Sequence, residues 1–229
     1  MLVFRASTRI WLAILGFVVL ACAFAGGLAP FAGAAAGCPV CGRNLIVNPG
    51  AEAGVGAAGD NVVAVPGWTR SGGFTAAPYA RSGSDLTASS PGPPNRGKNY
   101  FYGGPNAAVS RGTQTVSLAA GATAINKGNV SATLSGWLGG YSTQSDDAKL
   151  TVSFLGASGQ LLGSLTIGPV TEYQRFGASE LLLRSATSAV PKGSASAKLN
   201  LVMTRYYGSY NDGLADNLSL VLSVSGSSG

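Results

Sequence analysis

The sequence predicts an all-β protein, a two-sheet antiparallel sandwich of the jelly-roll type behind an N-terminal export segment. Three observations predict it. From Asn44 onward apolar residues recur at every second position in short runs, the period of strands with one buried face. Gly, Asn, Ser and Pro punctuate the runs, and 34 glycines in 229 residues make the chain turn often, as short strands require. Hydrophobic residues reach 46% while charged ones stop at 10%, enough to fill a core and a composition that argues against disorder. Sheets with one apolar face bury it against each other, so about eight or nine such strands form a sandwich, with the jelly roll as its natural topology.

Residues 1–37 read as a signal peptide or membrane anchor. Arg5 and Arg9 precede an uncharged stretch that is apolar from Ile10 to Leu15 and rich in small residues after Pro30. Ala32-Gly33-Ala34 and Ala34-Ala35-Ala36 both suit a signal peptidase, which favours cleavage. A retained anchor stays open, because the stretch exceeds the roughly 20 residues that span a bilayer. So does a lipoprotein, since Ala-Ala-Gly precedes Cys38 and Val-Leu-Ala precedes Cys22. The expected location is secreted or cell-surface, with membrane contact only through the leader if it is uncleaved or lipidated.

Residues 38–43 are expected to be a short linker carrying Cys38-Pro-Val-Cys41. Zinc needs about four N or S ligands, and the chain has no histidine and one further cysteine, in the leader. Redox chemistry of the thioredoxin type wants the pair at a helix start in an α/β domain. A small disulfide or a lipidated Cys38 is the expected use.

The domain proper spans 44–224. Its first strand covers 44–48, followed by 99–103 and 113–118. In 129–138, Val130, Ala132, Leu134 and Leu138 claim one face, leaving Ser131, Thr133, Ser135 and Trp137 on the other. Leu150, Val152 and Phe154 alternate into Gly156-Ala157-Ser158-Gly159, after which Leu161, Leu165 and Ile167 resume, a hairpin with a four-residue turn. Further strands are read at 180–184, at 197–206 with Leu199, Leu201 and Met203 inward, and at 217–224 with Leu218, Leu220 and Leu222 inward. No segment has helical periodicity, residues 82–98 with Pro91, Pro93 and Pro94 form a loop, and 225–229 is a flexible tail.

The formal charge is +6, and without Arg5 and Arg9 it is +4. The basic residues are scattered, so the footprint of a nucleic-acid binder is missing. Without histidine, triads with an imidazole base and His-ligated metal catalysis fall away. A glycosidase needs two facing carboxyls about 5–10 Å apart, and among nine carboxylates a pair such as Asp147 and Asp212 stays open, but no motif marks it. The chain is therefore read as no enzyme.

The opening Asn44-Leu45-Ile46-Val47-Asn48-Pro49-Gly50-Ala51-Glu52, with Pro66-Gly67-Trp68 after it, resembles the start of galactose-binding-like jelly rolls such as the family 4/9 carbohydrate-binding modules. Their first strand reads N-L-(I/V)-x-N-G-x-F-E and reaches a G-W soon after. Asp216-Asn217-Leu218-Ser219-Leu220 is similar to their last strand. Here Pro49 stands in place of the usual Gly and Ala51 in place of an aromatic. The resemblance implies a structural calcium held by Glu52 and Asp216, where first and last strands lie side by side; calcium takes six to eight oxygen ligands. The alternative is that Glu52 merely accepts backbone amides at a strand end.

Sugar rings present apolar C–H faces, so aromatic rings among hydrogen-bonding side chains suit them. Trp137 is expected on a hydroxyl-lined face, and Tyr206 on the polar face of its strand. The loops that follow add Tyr141, Tyr207, Tyr210 and Asn211. The reading is a non-catalytic extracellular or cell-surface module binding a polysaccharide or other glycan. A structural or adhesive surface domain that binds protein is the alternative, and a polysaccharide-active enzyme comes third.

Overall fold

Alternation produces the two sheets expected. The computed structural model describes residues 37–79 and 85–225, so the leader and the tail beyond residue 225 lie outside it. The strands are β1 (Thr69–Ser71), β2 (Thr75–Pro78), β3 (Asn99–Pro105), β4 (Val109–Ser117), β5 (Val130–Gly140), β6 (Asp147–Leu155), β7 (Leu161–Ile167), β8 (Glu180–Ala189), β9 (Ser196–Thr204) and β10 (Tyr210–Val224). One sheet has the order β2-β3-β10-β5-β8 and the other β1-β4-β9-β6-β7, with every pairing antiparallel.

Between the sheets lie the residues that the period-two pattern assigns inward. Val130, Ala132, Leu134 and Leu138 on β5, Leu150, Val152 and Phe154 on β6, Leu199, Leu201 and Met203 on β9, and Leu220 and Leu222 on β10 are all buried. Trp68, Phe74 and Phe101 add an aromatic cluster with centroids 5.3–6.1 Å apart. Gly112 makes room for it, since a Cβ there would stand 2.3 Å from the Phe74 ring. The β6–β7 hairpin closes through residues 156–159 as expected, with Gly156 N–H donating to Gln160 O.

Four expectations need correction. Residues 44–48 run beside β10 with an isolated bridge at Asn44 and one backbone bond, Leu45 N–H to Leu220 O, but form no strand, because side-chain amides take over the rest of the ladder. Asn44 Nδ2 donates to Leu218 O while its Oδ1 accepts Leu220 N–H, and Gln114 brackets Val47 through both N–H and C=O. Residues 38–43 are no free linker. Cys38 and Cys41 are buried, joined in a disulfide, and packed with Val40 into the core. A short helix, α1 (Ala122–Lys127), appears where no helical period was read; six residues make less than two turns, too few to show one. Strands β1 and β2 were also missed, being three and four residues long. The described part of the 82–98 loop contains no strand before Asn99.

Candidate functional site

The strand directions gather the β5–β6, β7–β8 and β9–β10 loops at one end of the sandwich. These loops hold Tyr141, Tyr173, Phe176, Tyr206 and Tyr207, and Tyr210 opens β10 beside them. Among the described residues these six are all the exposed aromatic side chains.

Two buried charges hold the loops. Asp146 is fully buried. Its Oδ1 accepts the N–H groups of Tyr206 (2.6 Å) and Tyr207 (3.0 Å), and its Oδ2 that of Asp212 (2.9 Å), so it ties the β5–β6 loop to the β9–β10 loop. Arg175 is equally buried. It donates through Nη1 to Gly140 O (3.0 Å), Ser142 O (2.7 Å) and Ala178 O, and through Nη2 to Gln144 O (2.8 Å). Burial pulls the Arg175 pKa below the usual arginine range, against the opposing charges of Glu172, Glu180 and Asp146. A guanidinium that presents several donors in a rigid fork fixes carbonyl positions as a lysine would not.

Against this frame sits a pocket of about 310 Å³ lined by Tyr141, Gln144, Tyr210, Tyr102 and the carboxylates Asp60, Asp85 and Asp212. Tyr210 donates its hydroxyl to Asp60 Oδ2 at 2.9 Å, and Tyr102 to Asp212 Oδ1 at 3.3 Å. Phenol rings held by their hydroxyls keep a fixed face toward the pocket, while carboxylate and amide oxygens accept donated hydrogens. Asp147 does not line it, so the carboxylates that share this pocket are not the Asp147–Asp212 pair.

Tyr141 and Tyr210 therefore line one pocket, and Tyr207 stands beside them, lining a neighbouring pocket with Thr143, Gln144 and Ser145. Asn211 does not face this surface. It is fully buried, its Nδ2 donating to Ala107 O and Met203 O, and it holds the chain under the loop. Trp137 lies on the face of β5 opposite Val130, Ala132, Leu134 and Leu138, where it packs against a second buried cluster that includes Tyr100, Tyr102, Leu181 and Leu214. It is half-buried on the outer face of its sheet beside Leu183, in a separate shallow pocket with Ser135, Asn217 and Ser219. Tyr206 does not join it. β9 ends at Thr204, and β5 and β9 belong to different sheets, whose outer faces look in opposite directions, so one stacking platform from the two is ruled out. Tyr173, Phe176, Arg175 and Asp146 were not singled out in the sequence; only the two aromatics carried a signal there, as apolar rings in a segment between strands.

Glu52 and Asp216 do lie close together. Asp216 is fully buried at a register shift of β10, accepting from Tyr79 Oη at 2.7 Å and Asn217 N–H at 2.6 Å. Burial pushes its carboxyl up to about 7, with Glu52 adding to the rise and the Tyr79 hydrogen bond opposing it. Glu52 Oε1 accepts the amides of Lys98 and Asn99, as its alternative reading had it. Gly50 supplies a cradle, since a Cβ there would stand 3.1 Å from Asn217 Oδ1 and 3.3 Å from Asp216 Oδ1. Asn217 Nδ2 is spent on Asn95, which turns its oxygen to that point. Two side-chain oxygens converge there beside a second carboxylate, a partial set of the six to eight oxygens that calcium takes; no group of three or more His, Cys, Asp or Glu that could hold a metal is found among the described residues.

No protein-family model and no characterised protein matches the sequence. Solved structures do resemble it. A cyclase from Fischerella sp. TAU in complex with 4-(1H-indol-3-yl)butan-2-one is 14% identical over 80% of this chain and 98% of that one, with a TM-score of 0.53. The module TmCBM61 in complex with β-1,4-galactotriose is 15% identical over 78% of this chain and 97% of that one, at 0.45. The enzymatically active domain of tailspike protein 4 from bacteriophage CBA120 is 15% identical over 79% of this chain, at 0.49, and the chain spans 21% of its length. At such identities the likeness is one of β-sandwich fold.

Proposed function

We propose that this protein is an exported, non-catalytic glycan-binding module of the galactose-binding-like jelly-roll type, taking its ligand at the aromatic loop end. The observation that supports this reading is the gathering of every exposed aromatic of the described residues at one loop end, where two of them, Tyr141 and Tyr210, wall a pocket with three carboxylates. Sugars need that pairing, with flat apolar rings against their C–H faces and fixed oxygens to accept their hydroxyls. A glycan array probed with the exported protein tests it. Binding to at least one glycan, abolished by Tyr210→Ala and by Tyr141→Ala with little change in melting temperature, is the expected result. Binding that survives both substitutions would move the site elsewhere, and a blank array would end the reading. Mass spectrometry should place the mature N-terminus between Ala35 and Cys38; an intact Met1 in a membrane fraction would mean a retained anchor.

Calcium belongs to the same proposal in a structural role. Bound by Asp216, Asn217 and Glu52, it would neutralise a carboxylate that burial otherwise penalises.

A second reading rests on Asp60, Asp85 and Asp212 lining one pocket. Two of them at glycosidase spacing would support acid-base hydrolysis. Release of reducing ends from polysaccharides, lost in Asp85→Asn, would replace the binding reading with that one.

A further inference from the structure

The carboxylate pocket does not stand alone. Gln144 lines both it and the pocket of Tyr207, and Thr143 lines both that pocket and a third, of about 470 Å³, walled by Glu172, Tyr173 and Phe176. Adjacent residues of one loop thus stand between three neighbouring depressions, with an aromatic ring in each.

Its far end carries an outlier. Phe176 is 95% exposed and adopts a φ of 51°, with Gly177 following at 71°. For a bulky L-residue the left-handed region costs about 1–2 kcal/mol, and a wholly exposed phenyl ring gains nothing from the core. The neighbouring Arg175 is what holds it there. With the guanidinium pinned inward on four carbonyls, the next side chain is turned out to solvent, and Gly177 N–H closes the turn on Glu172 O. Strain kept at an exposed ring is a reason to look for a partner. At the other junction, Gln144 Oε1 is buried and accepts no hydrogen bond among the described residues.

Charge narrows the occupant. Among the described residues the lining of the three pockets includes Asp60, Asp85, Asp212 and Glu172, and no lysine or arginine, although the whole chain is formally +6. Uronate or sulfate groups would meet like charge there at short range.

We propose that the site is an extended groove running from the Tyr141–Tyr210 pocket past Tyr207 to Tyr173 and Phe176, and that its ligand is a linear glycan of uncharged sugars spanning several units. This rests on the glycan-binding reading above and adds the ligand's length and charge. The test is titration calorimetry of the full exported protein with cello-, xylo-, manno- and galacto-oligosaccharides from disaccharide to hexasaccharide, alongside polygalacturonate oligosaccharides of the same lengths. Affinity should rise with chain length by about tenfold or more, and the uronates should bind more weakly than every uncharged series that binds. Phe176→Ala and Tyr173→Ala should each cancel most of the gain from length while leaving disaccharide affinity unchanged; Tyr210→Ala should weaken both. Affinity independent of length, long chains indifferent to Phe176→Ala, or tighter binding of the uronates would overturn the extended groove and leave a single-pocket module standing. No binding in any series, together with a blank array, would overturn both.

Discussion

Of the connections between β4 and β10, residues 141–146, 168–179 and 205–209 lie at one end of the sandwich and residues 118–129, 156–160 and 190–195 at the other. The second set contains no aromatic residue. That end is closed by packing. Leu118, Ile125, Val40 and the Cys38–Cys41 disulfide belong to the core there, and Gly121 lies close enough that a Cβ would stand 2.5 Å from Val40 Cγ2. The aromatic end is closed by Arg175 and Asp146, which spend their charges on backbone groups of three loops. Apolar burial is non-directional and tolerates small adjustments, whereas hydrogen bonds from a buried charge dictate where each peptide stands. A plain seam needs only the first, and a surface that must hold six rings in set positions needs the second.

The comparison breaks most readily at Arg175. Arg175→Ala leaves four carbonyls without their donor and should cost about 3–5 kcal/mol in chemical denaturation, since a buried polar group stripped of its partner carries the full desolvation penalty. It should also abolish glycan affinity. At the plain end the matching side-chain bond, Asn126 Oδ1 to Gly193 N–H at 2.9 Å, should cost about 1 kcal/mol in Asn126→Ala and leave affinity intact. Equal losses at the two ends would mean that the charged bolts are ordinary contacts.

Next in size is the calcium proposed at the β10 register shift. Chelation of calcium-loaded protein should remove about 3 kcal/mol if the ion is held near a hundredfold above its dissociation constant, seen as a lower melting temperature. Asp216→Asn should be insensitive to chelator. The chelation loss should add to that of Asn126→Ala, as it does for distant sites; an unchanged melting temperature on chelation would remove the ion.

A smaller effect follows from Asp147, beside the Asp146 bolt. Burial pushes its carboxyl up to about 6 from 3.8, with Lys149 opposing and Asp146 adding to the rise. Between those values the folded protein binds a proton that the unfolded chain releases. Its contribution to stability is therefore full below about pH 3.8 and lost as the pH rises through about 6. Asp147→Asn should flatten this part of the melting profile and gain on the parent above pH 6, with the difference vanishing near pH 4. A difference that grows as the pH falls would reverse the assignment.

The smallest expected change is Lys127→Ala on α1 of the plain end. The lysine caps no ligand surface, so stability should move within about 0.5 kcal/mol and glycan affinity not at all. A drop in affinity would place ligand contact at both ends.

Much of this was legible in the sequence. The alternation at Val130–Leu134 and Leu199–Met203 assigned buried faces that the structure keeps, and it turned Trp137 outward. Tyr141, Tyr207 and Tyr210 stood out as aromatic residues among glycines and hydroxyls. The segment 44–48 misled because its apolar period is real while its hydrogen bonds go to Gln114 and to β10 through Asn44, substitutions that no period reveals.

Which face each strand buries is decided within about five residues, by a period of two, and so the sequence alone determined it. Composition likewise determined the absence of imidazole chemistry, since a residue that is not in the chain cannot act. Which strands become neighbours depends on pairing across the whole chain, and only the folded structure parted Trp137 from Tyr206 by placing β5 and β9 in different sheets. The groove belongs to the same class. Arg175 reaches carbonyls 31–35 residues away and Asp146 an amide 66 residues away, and nothing in the local sequence of either sets it apart from a solvated surface charge. Bonds between segments that distant form only once the sheets bring the loops to one end, so the exposure of Phe176 and the line of pockets beneath it are properties of the tertiary structure.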